Sequence, residues 1–543
     1  MELFKPFSKA ALVKALACGS ALLMLAACAQ SQRALEEESQ SSRGLPVFRM
    51  NLGTEPPDLD PVKISDLTSF TVIQNLMRGL TYYDKGLKPQ PAVAERWDRS
   101  ADGMRYVFYL RPNARWSDGK PVTAGQFVDA WQRALTPETA ADYAFFLYEI
   151  KNAKAYYEGT LKDFSKVGVR ALNDQTLVVE LERPTPFFLD LLAAPIALPF
   201  RKDLYARYGE RYTEAGHFAA NGPYRLAAWA HDDYIRLTPN PYYYGEKPAV
   251  AVKMVMVNDT NTSTVMYENN ELDFIETTTS IASFDVRRLR KSPDAHVNRI
   301  HRINYFGFNL KKPPFDDVRV RKAFAMALDR NYYPKLLQSG QKPIKSWISP
   351  GLVGYNDSVG LAYNPEKARQ LLAEAGYPDG KGFPDVTLAY RTLYDIQKEA
   401  EIAQYLWKKN LNVDVRLQNM EWKVYLSQLR QDASNLYMMG WFVDYPDADS
   451  YMSMMIGDSG NNYTGWKSER YDSLVSQAVV TLDADKRQKL YDDAQRILLE
   501  KDAVMVPTYQ AEKTWLLKPW VKGLEINALN LISLDHLKIN RKQ

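Results

Sequence analysis

The stretch "VTLAYRTLYDIQKEAEIAQYLWKKNLNVDVRLQNMEWKVYLSQLRQDASNLYMMGWFVDY", residues 386–445, decides the fold. "VTLAY" (386–390) and "VDVRL" (413–417) have the apolar and β-branched content of strands, and a helical pattern runs between them from about Asp395 to Lys409. Strand, helix, strand at this spacing requires a right-handed crossover and a parallel pair. "LYMMGWFV" (436–443) is a further strand, and it ends on a carboxylate, Asp444. A bare buried carboxylate is costly unless it is paired or protonated. Asp444 is therefore either a turn residue bonded to nearby backbone N–H groups or an anion whose partner arrives from outside.

Outward from this block the α/β signals continue. "NPEKARQLLAEAG" (364–376) has Asn364 as cap, Pro365 at the first helical position and Gly376 as stop. A helix around 485–501 puts Leu490, Ala494, Ile497 and Leu498 inward and returns the chain to a strand, "AVMVPTY" (503–509). Upstream, "PVFRMNL" (46–52), "RYVFYL" (105–110) and "TLVVEL" (176–181) read as strands. "TAGQFVDAWQRAL" (123–135) opens with Thr123 and has Gln126 three residues on, a capping box. The 543 residues suffice for three domains or two large lobes, and 46% apolar with 25% charged residues is ordinary for a globular protein.

The first 27 residues differ from the rest. Lys5, Lys9 and Lys14 precede the apolar run "ALACGSALLMLAAC", too short for a permanent membrane helix. It ends on Leu25-Ala26-Ala27-Cys28, which resembles the lipobox of bacterial lipoproteins; that implies cleavage before Cys28 and its acylation. Residues 28–44 are then a flexible tether. Ala29 lacks the Asp that retains many Gram-negative lipoproteins at the inner membrane. After cleavage Cys28 is the single cysteine, so no internal disulfide can form. The segment removed holds three Lys and one Glu, leaving 66 basic and 64 acidic residues. That balance gives no footprint for nucleic acid.

Several strings then occur together: "GTEPPDLDP" (53–61), "PAVAERWD" (91–98), "FYLRPNARWSDGKPVTAGQFVDAWQRAL" (108–135), "NGPYRL" (221–226), "NLKKPPFDDVRVRKAFAMALDR" (309–330), "LLAEAGYP" (371–378), "LQNMEWKVYL" (417–426) and "GWFVDY" (440–445). Over about residues 47–540 the chain resembles the oligopeptide-binding proteins of bacterial ABC importers, the peptide- and nickel-binding family of extracytoplasmic receptors. The resemblance implies an α/β, two-lobed, three-domain fold of the periplasmic-binding-protein class II type, with mixed sheets and a hinge. Domain I would combine 45–78, 203–303 and 512–543; domain II would be 79–202; domain III would be 304–511.

It further implies a monomeric, lipid-anchored receptor on the extracytoplasmic or periplasmic face that delivers oligopeptides to ABC permease subunits, with no cofactor, metal or catalysis. By resemblance, Asp444 pairs with the peptide α-ammonium. Gly440, Trp441 and Phe442 bond the peptide main chain from one side, and Ser65, Asp66 and Leu67 from the other. Trp441 and Trp422 line side-chain pockets. Such receptors often carry an Arg just before the Gly-Trp pair, for a short peptide's carboxylate. Met438 stands there instead, and Arg430 is the nearby substitute in sequence. A murein peptide, nickel chelate or haem as ligand, or a receptor that has lost its permease, fits the same fold.

A secreted hydrolase needs a nucleophile or metal cluster. "GDSG" (457–460) is followed by Asn461 and Asn462 and has no companion His context, so it reads as turn chemistry. Asp444, Asp447 and Asp449 are loosely spaced like a calcium loop but lack its Gly and terminal Glu. The five His are scattered, and His296 and His301 are not a helical zinc pair.

Overall fold

The computed structural model describes residues 44–541. The expected signal segment, Cys28 and most of the tether lie outside them. Within them, eleven strands form one large mixed sheet. In chain order they are β1 (Val47–Asn51), β2 (Tyr224–Ala230), β3 (Tyr234–Pro239), β4 (Ala251–Val255), β5 (Phe274–Glu276), β6 (Ala295–Phe308), β7 (Lys342–Pro343), β8 (Val386–Arg391), β9 (Val415–Met420), β10 (Leu436–Phe442) and β11 (Met505–Leu517). Their spatial order is β9-β8-β10-β6-β11-β5-β1-β4-β3-β2, with β7 on β11.

The deciding stretch folds as its pattern dictates. β8 and β9 are parallel, Val386 opposite Val415, and the helix Tyr394–Leu411 crosses between them. Ala400, Ala403, Leu406, Trp407 and Leu411 are buried at helical spacing. The Trp407 ring packs 5.4 Å from Phe306 and 5.1 Å from Phe324, and its indole N–H donates to Phe324 O at 3.1 Å. The helix Pro365–Glu374 is capped by Asn364 Oδ1, which accepts from the Lys367 N–H at 3.0 Å. The chain turns at Gly376, whose φ of +101° suits a residue without Cβ.

The four strands Ala94–Arg99, Arg105–Leu110, Thr176–Glu180 and Val169–Asn173 form a separate antiparallel sheet in that order. All lie within residues 79–202. Helix Ala124–Leu135 buries Phe127, Ala130, Trp131 and Ala134, and Gln126 Oε1 accepts the Thr123 N–H at 3.0 Å. The helix near 485–501 is α-helical over Ala484–Arg496 and closes in a π-turn, Ile497–Lys501.

Two long strands carry the architecture. β6 runs beside β11 along most of its length, and the boundaries expected at 303/304 and 511/512 fall inside these strands rather than in loops. There the ladder shifts register: Arg299 faces Glu512, whereas Ile303 faces Gln510. Gly307 in β6 is required by its partner, since a Cβ would lie 2.0 Å from the Tyr437 ring opposite.

Candidate functional site

Asp444 lies two residues past β10, where several parts of the chain converge. A cavity of about 230 Å³ is lined by Ser65, Asp66, Leu67 and Phe70, by Tyr143 and Phe146, and by Phe442, Val443 and Asp444. Each group is held for a local reason. Asp66 caps the helix Leu67–Leu76, its Oδ1 accepting the Ser69 N–H at 2.8 Å. The preceding loop is pinned by Asp60, which accepts two bonds of 2.8 and 2.6 Å from Arg133. Tyr143 and Phe146 stand on the residues just before and within the short helical turn Ala144–Leu147. Tyr445 fixes the far side, its ring 5.5 Å from Phe146 and 5.1 Å from Phe187.

The half-buried Asp444 carboxylate accepts the Tyr143 hydroxyl at 3.2 Å, and its backbone N–H donates to Ser450 Oγ at 3.0 Å. Among the described residues no Lys or Arg forms an ion pair with it. Burial pushes its pKa up to about 6, against a smaller lowering by the Tyr143 bond. Burial, and then the Asp444 charge, hold the Tyr143 phenol well above its ordinary value. The neighbouring acids differ. Asp447 takes two bonds of 2.6 Å from Arg487, and Asp449 accepts the Tyr445 hydroxyl at 2.6 Å. Those two are committed inside the protein; Asp444 is not.

β10 also offers main chain. It pairs with β6 along its whole length, from Leu436 opposite Phe308 to Phe442 opposite Arg302. On its other side it pairs with β8 only at Leu436 and Tyr437. The edge beyond Tyr437 is unpaired by any described strand, and an open edge accepts an added strand. A second cavity, of about 280 Å³, flanks this edge and is lined by Arg302, Asn304, Arg391, Ile396, Trp422, Met438, Met439, Gly440 and Phe442.

The structure thus gathers Ser65, Asp66, Leu67, Phe442 and Asp444 around one cavity, and Gly440, Phe442 and Trp422 around the other. It separates two expected residues from them. Trp441 lines neither cavity, because alternate residues of a strand face opposite sides; its indole N–H donates to Ser450 O at 2.6 Å. Arg430 sits exposed in the last turn of the helix Trp422–Asp432 and also lines neither. That helix starts at the cavity-lining Trp422 and carries Arg430 to its other end. The residues that sequence reasoning missed are Tyr143, Arg302 and Arg391. Only the long-range pairing of β6 with β10 brings Arg302 here.

A family model described as "Bacterial extracellular solute-binding proteins, family 5 Middle" matches residues 88–463. The probable deoxycholate-binding periplasmic protein YgiS of Escherichia coli K12 is 34% identical, over 89% of this chain and 91% of its own length. The periplasmic oligopeptide-binding protein OppA of the same organism is 34% identical over 87% and 88%. The unliganded open form of the periplasmic murein tripeptide-binding protein MppA superposes with a TM-score of 0.79 at 29% identity, covering 91% of this chain and 98% of that one.

Proposed function

Because the chain belongs to the bacterial extracellular solute-binding proteins of family 5, a family of binding proteins rather than enzymes, we propose that it captures peptides in the cleft around Asp444 and delivers them to an ABC importer. The carrying observation is a half-buried carboxylate that no cation of the described chain neutralises, placed just past an open strand edge. A peptide supplies what is missing on both counts. Its α-ammonium pairs with Asp444, and its main chain adds to Gly440–Phe442 as a strand. Main-chain pairing uses groups that every peptide carries, so sequence tolerance follows.

In this reading the register shift between Arg299 and Ile303 is where the two lobes flex, and closure presents the loaded shape to the permease. The receptor works as a monomer on the extracytoplasmic side, tethered through an acylated Cys28. Two or more acyl chains are enough for stable anchoring. The probable deoxycholate-binding relative raises a steroid carboxylate as an alternative. Such an anion in the Asp444 cavity would bring a second negative charge beside an unneutralised one, which favours a ligand with a cationic end there.

Calorimetry on ligand-stripped protein tests the proposal. Tri- and tetra-alanine with free N-termini should bind, and their N-acetylated forms should bind at least about a hundredfold more weakly, as expected for a buried charge left without its partner. Equal affinities for free and acetylated peptides would remove Asp444 from the mechanism. Mass spectrometry of ligand carried through purification gives an independent identity.

A further inference from the structure

The second cavity contains two arginines and no acid committed to them. The Arg302 side chain lies across Gly440: a Cβ there would be 2.8 Å from its Nε and Nη2. The Arg391 guanidinium lies over the Trp422 ring, 5.4 Å from the centroid. Burial, and then the charge of Arg302, lower the pKa of Arg391. Among the described residues neither guanidinium has a carboxylate at ion-pair distance. The closest claim comes from Glu399, which is buried and already bonded to Asn304 Nδ2, at 3.0 Å, and to the Tyr509 hydroxyl. Burial also pushes the Glu399 carboxyl above its usual range. Asn304 Oδ1, on the cavity wall, is buried without a hydrogen-bond partner.

We infer that Arg302 and Arg391 form a carboxylate subsite, filled by a carboxylate of the same ligand whose amine reaches Asp444. This rests on the peptide reading and assigns the role that Met438 cannot fill and for which Arg430, exposed and lining neither cavity, is not placed. Two like charges sharing one small space repel, and a bridging carboxylate relieves this with bonds to both forks. The unpartnered Asn304 oxygen can accept an N–H of the ligand adjoining that carboxylate.

Spacing limits the ligand. Arg302 faces Phe442 across the β6–β10 pair, and Asp444 lies only two residues past Phe442. A peptide reading both ends is therefore short, if its carboxylate is the C-terminal one. A longer peptide can satisfy the same subsite with an Asp or Glu side chain. These are two sources of one chemistry.

The test uses wild-type protein and synthetic peptides, so it does not depend on any variant folding. Amidating the C-terminus of tri- and tetra-alanine should weaken binding by about tenfold to a hundredfold, as for a charge-assisted hydrogen bond lost. In an amidated hexa-alanine scan, one Glu position should bind about tenfold or more tighter than the matching Gln peptide if a side chain is the source. In Arg302→Met/Arg391→Met both differences should shrink to less than about threefold, while the penalty for N-acetylation persists. The inference is overturned if amidation and every Glu-to-Gln change are silent in the wild type while acetylation still abolishes binding. That result leaves the peptide reading standing. If no free peptide binds the wild type, both readings fall together.

Discussion

Asp444→Asn should do two things that a merely structural aspartate could not do together. Burial raises the Asp444 pKa from 3.8 to about 6 in the ligand-free protein. For a carboxylic acid this means that folding favours the protonated form. Below pH 3.8 the group is protonated in both folded and unfolded chains and has no net effect. As pH rises from there to about 6 the unfolded chain loses its proton first, and stability falls. Above pH 6 the full cost is present. A shift of about 2.2 units corresponds to about 3 kcal/mol, an upper figure because the side chain is only half-buried. Asparagine carries no charge to desolvate, and its Oδ1 can still accept the Tyr143 hydroxyl. The variant should therefore melt several degrees higher than the wild type at pH 7.5, and within about a degree of it at pH 4.

The same substitution should weaken tri-alanine binding by at least about a hundredfold. Thermal melts of protein stripped of ligand in denaturant and refolded, read at the two pH values beside calorimetry at pH 7.5, make the comparison. With lobes this large only the shift in midpoint is read, not an absolute free energy. A variant that is less stable than the wild type at pH 7.5 would show the carboxylate serving its own chain. A variant that keeps its peptide affinity would show the ammonium binding elsewhere. Either result refutes the reasoning.

Other perturbations follow from the same geometry. Peptide affinity should fall about tenfold between pH 7.5 and pH 5, because only about one Asp444 in eleven is ionised one unit below a pKa of about 6; a flat profile by calorimetry would contradict this. Tyr143→Phe removes the hydroxyl that lowers the Asp444 pKa, so the midpoint of that pH profile should move above 6. Gly440→Ala would set a Cβ 2.8 Å from Arg302 Nε and Nη2 and from Asn304 Oδ1, so it should push Arg302 out of its position and reduce the penalty for C-terminal amidation, with some lowering of the melting midpoint because Asn304 is buried and held by Glu399. Arg487→Met strands the buried Asp447 and should destabilise the fold by about 3–5 kcal/mol, seen as an early melt.

What the sequence disclosed depended on how far apart the interacting residues lie. The caps at Thr123 and Asn364, the stop at Gly376 and the parallel crossover from Val386 to Val415 are local devices, and each formed where its residues predicted. Strand parity was equally local: Gly440 and Phe442 share a face, so Trp441 had to point to the other. The partners across the site were not local. β6 shows no clean alternation, since it is exposed near Ala295 and buried by Phe308, and so its outline is faint in the sequence. Without it Arg302 has no address, although it pairs across 140 positions with Phe442. Tyr143 lies 301 positions from the carboxylate it donates to.

This division has a physical consequence for the cleft. A charge that the fold itself neutralises is fixed by its partner, as Asp447 is by Arg487. A charge kept available for a ligand must be denied such a partner, and denial leaves no positive mark in the chain. Asp444 lies two residues past β10, whereas Arg302 stands on β6 and Arg391 at the end of β8; the charges have opposite signs, yet among the described residues no ion pair joins them. Unneutralised charge at both ends of an open strand edge is costly for the empty protein. Ligand occupancy should remove that cost at both ends together, so a free tetrapeptide should raise the melting midpoint by more than the separate gains from its amidated and acetylated forms. Additive gains at matched saturation would mean that the two ends bind independently and that no single ligand bridges them.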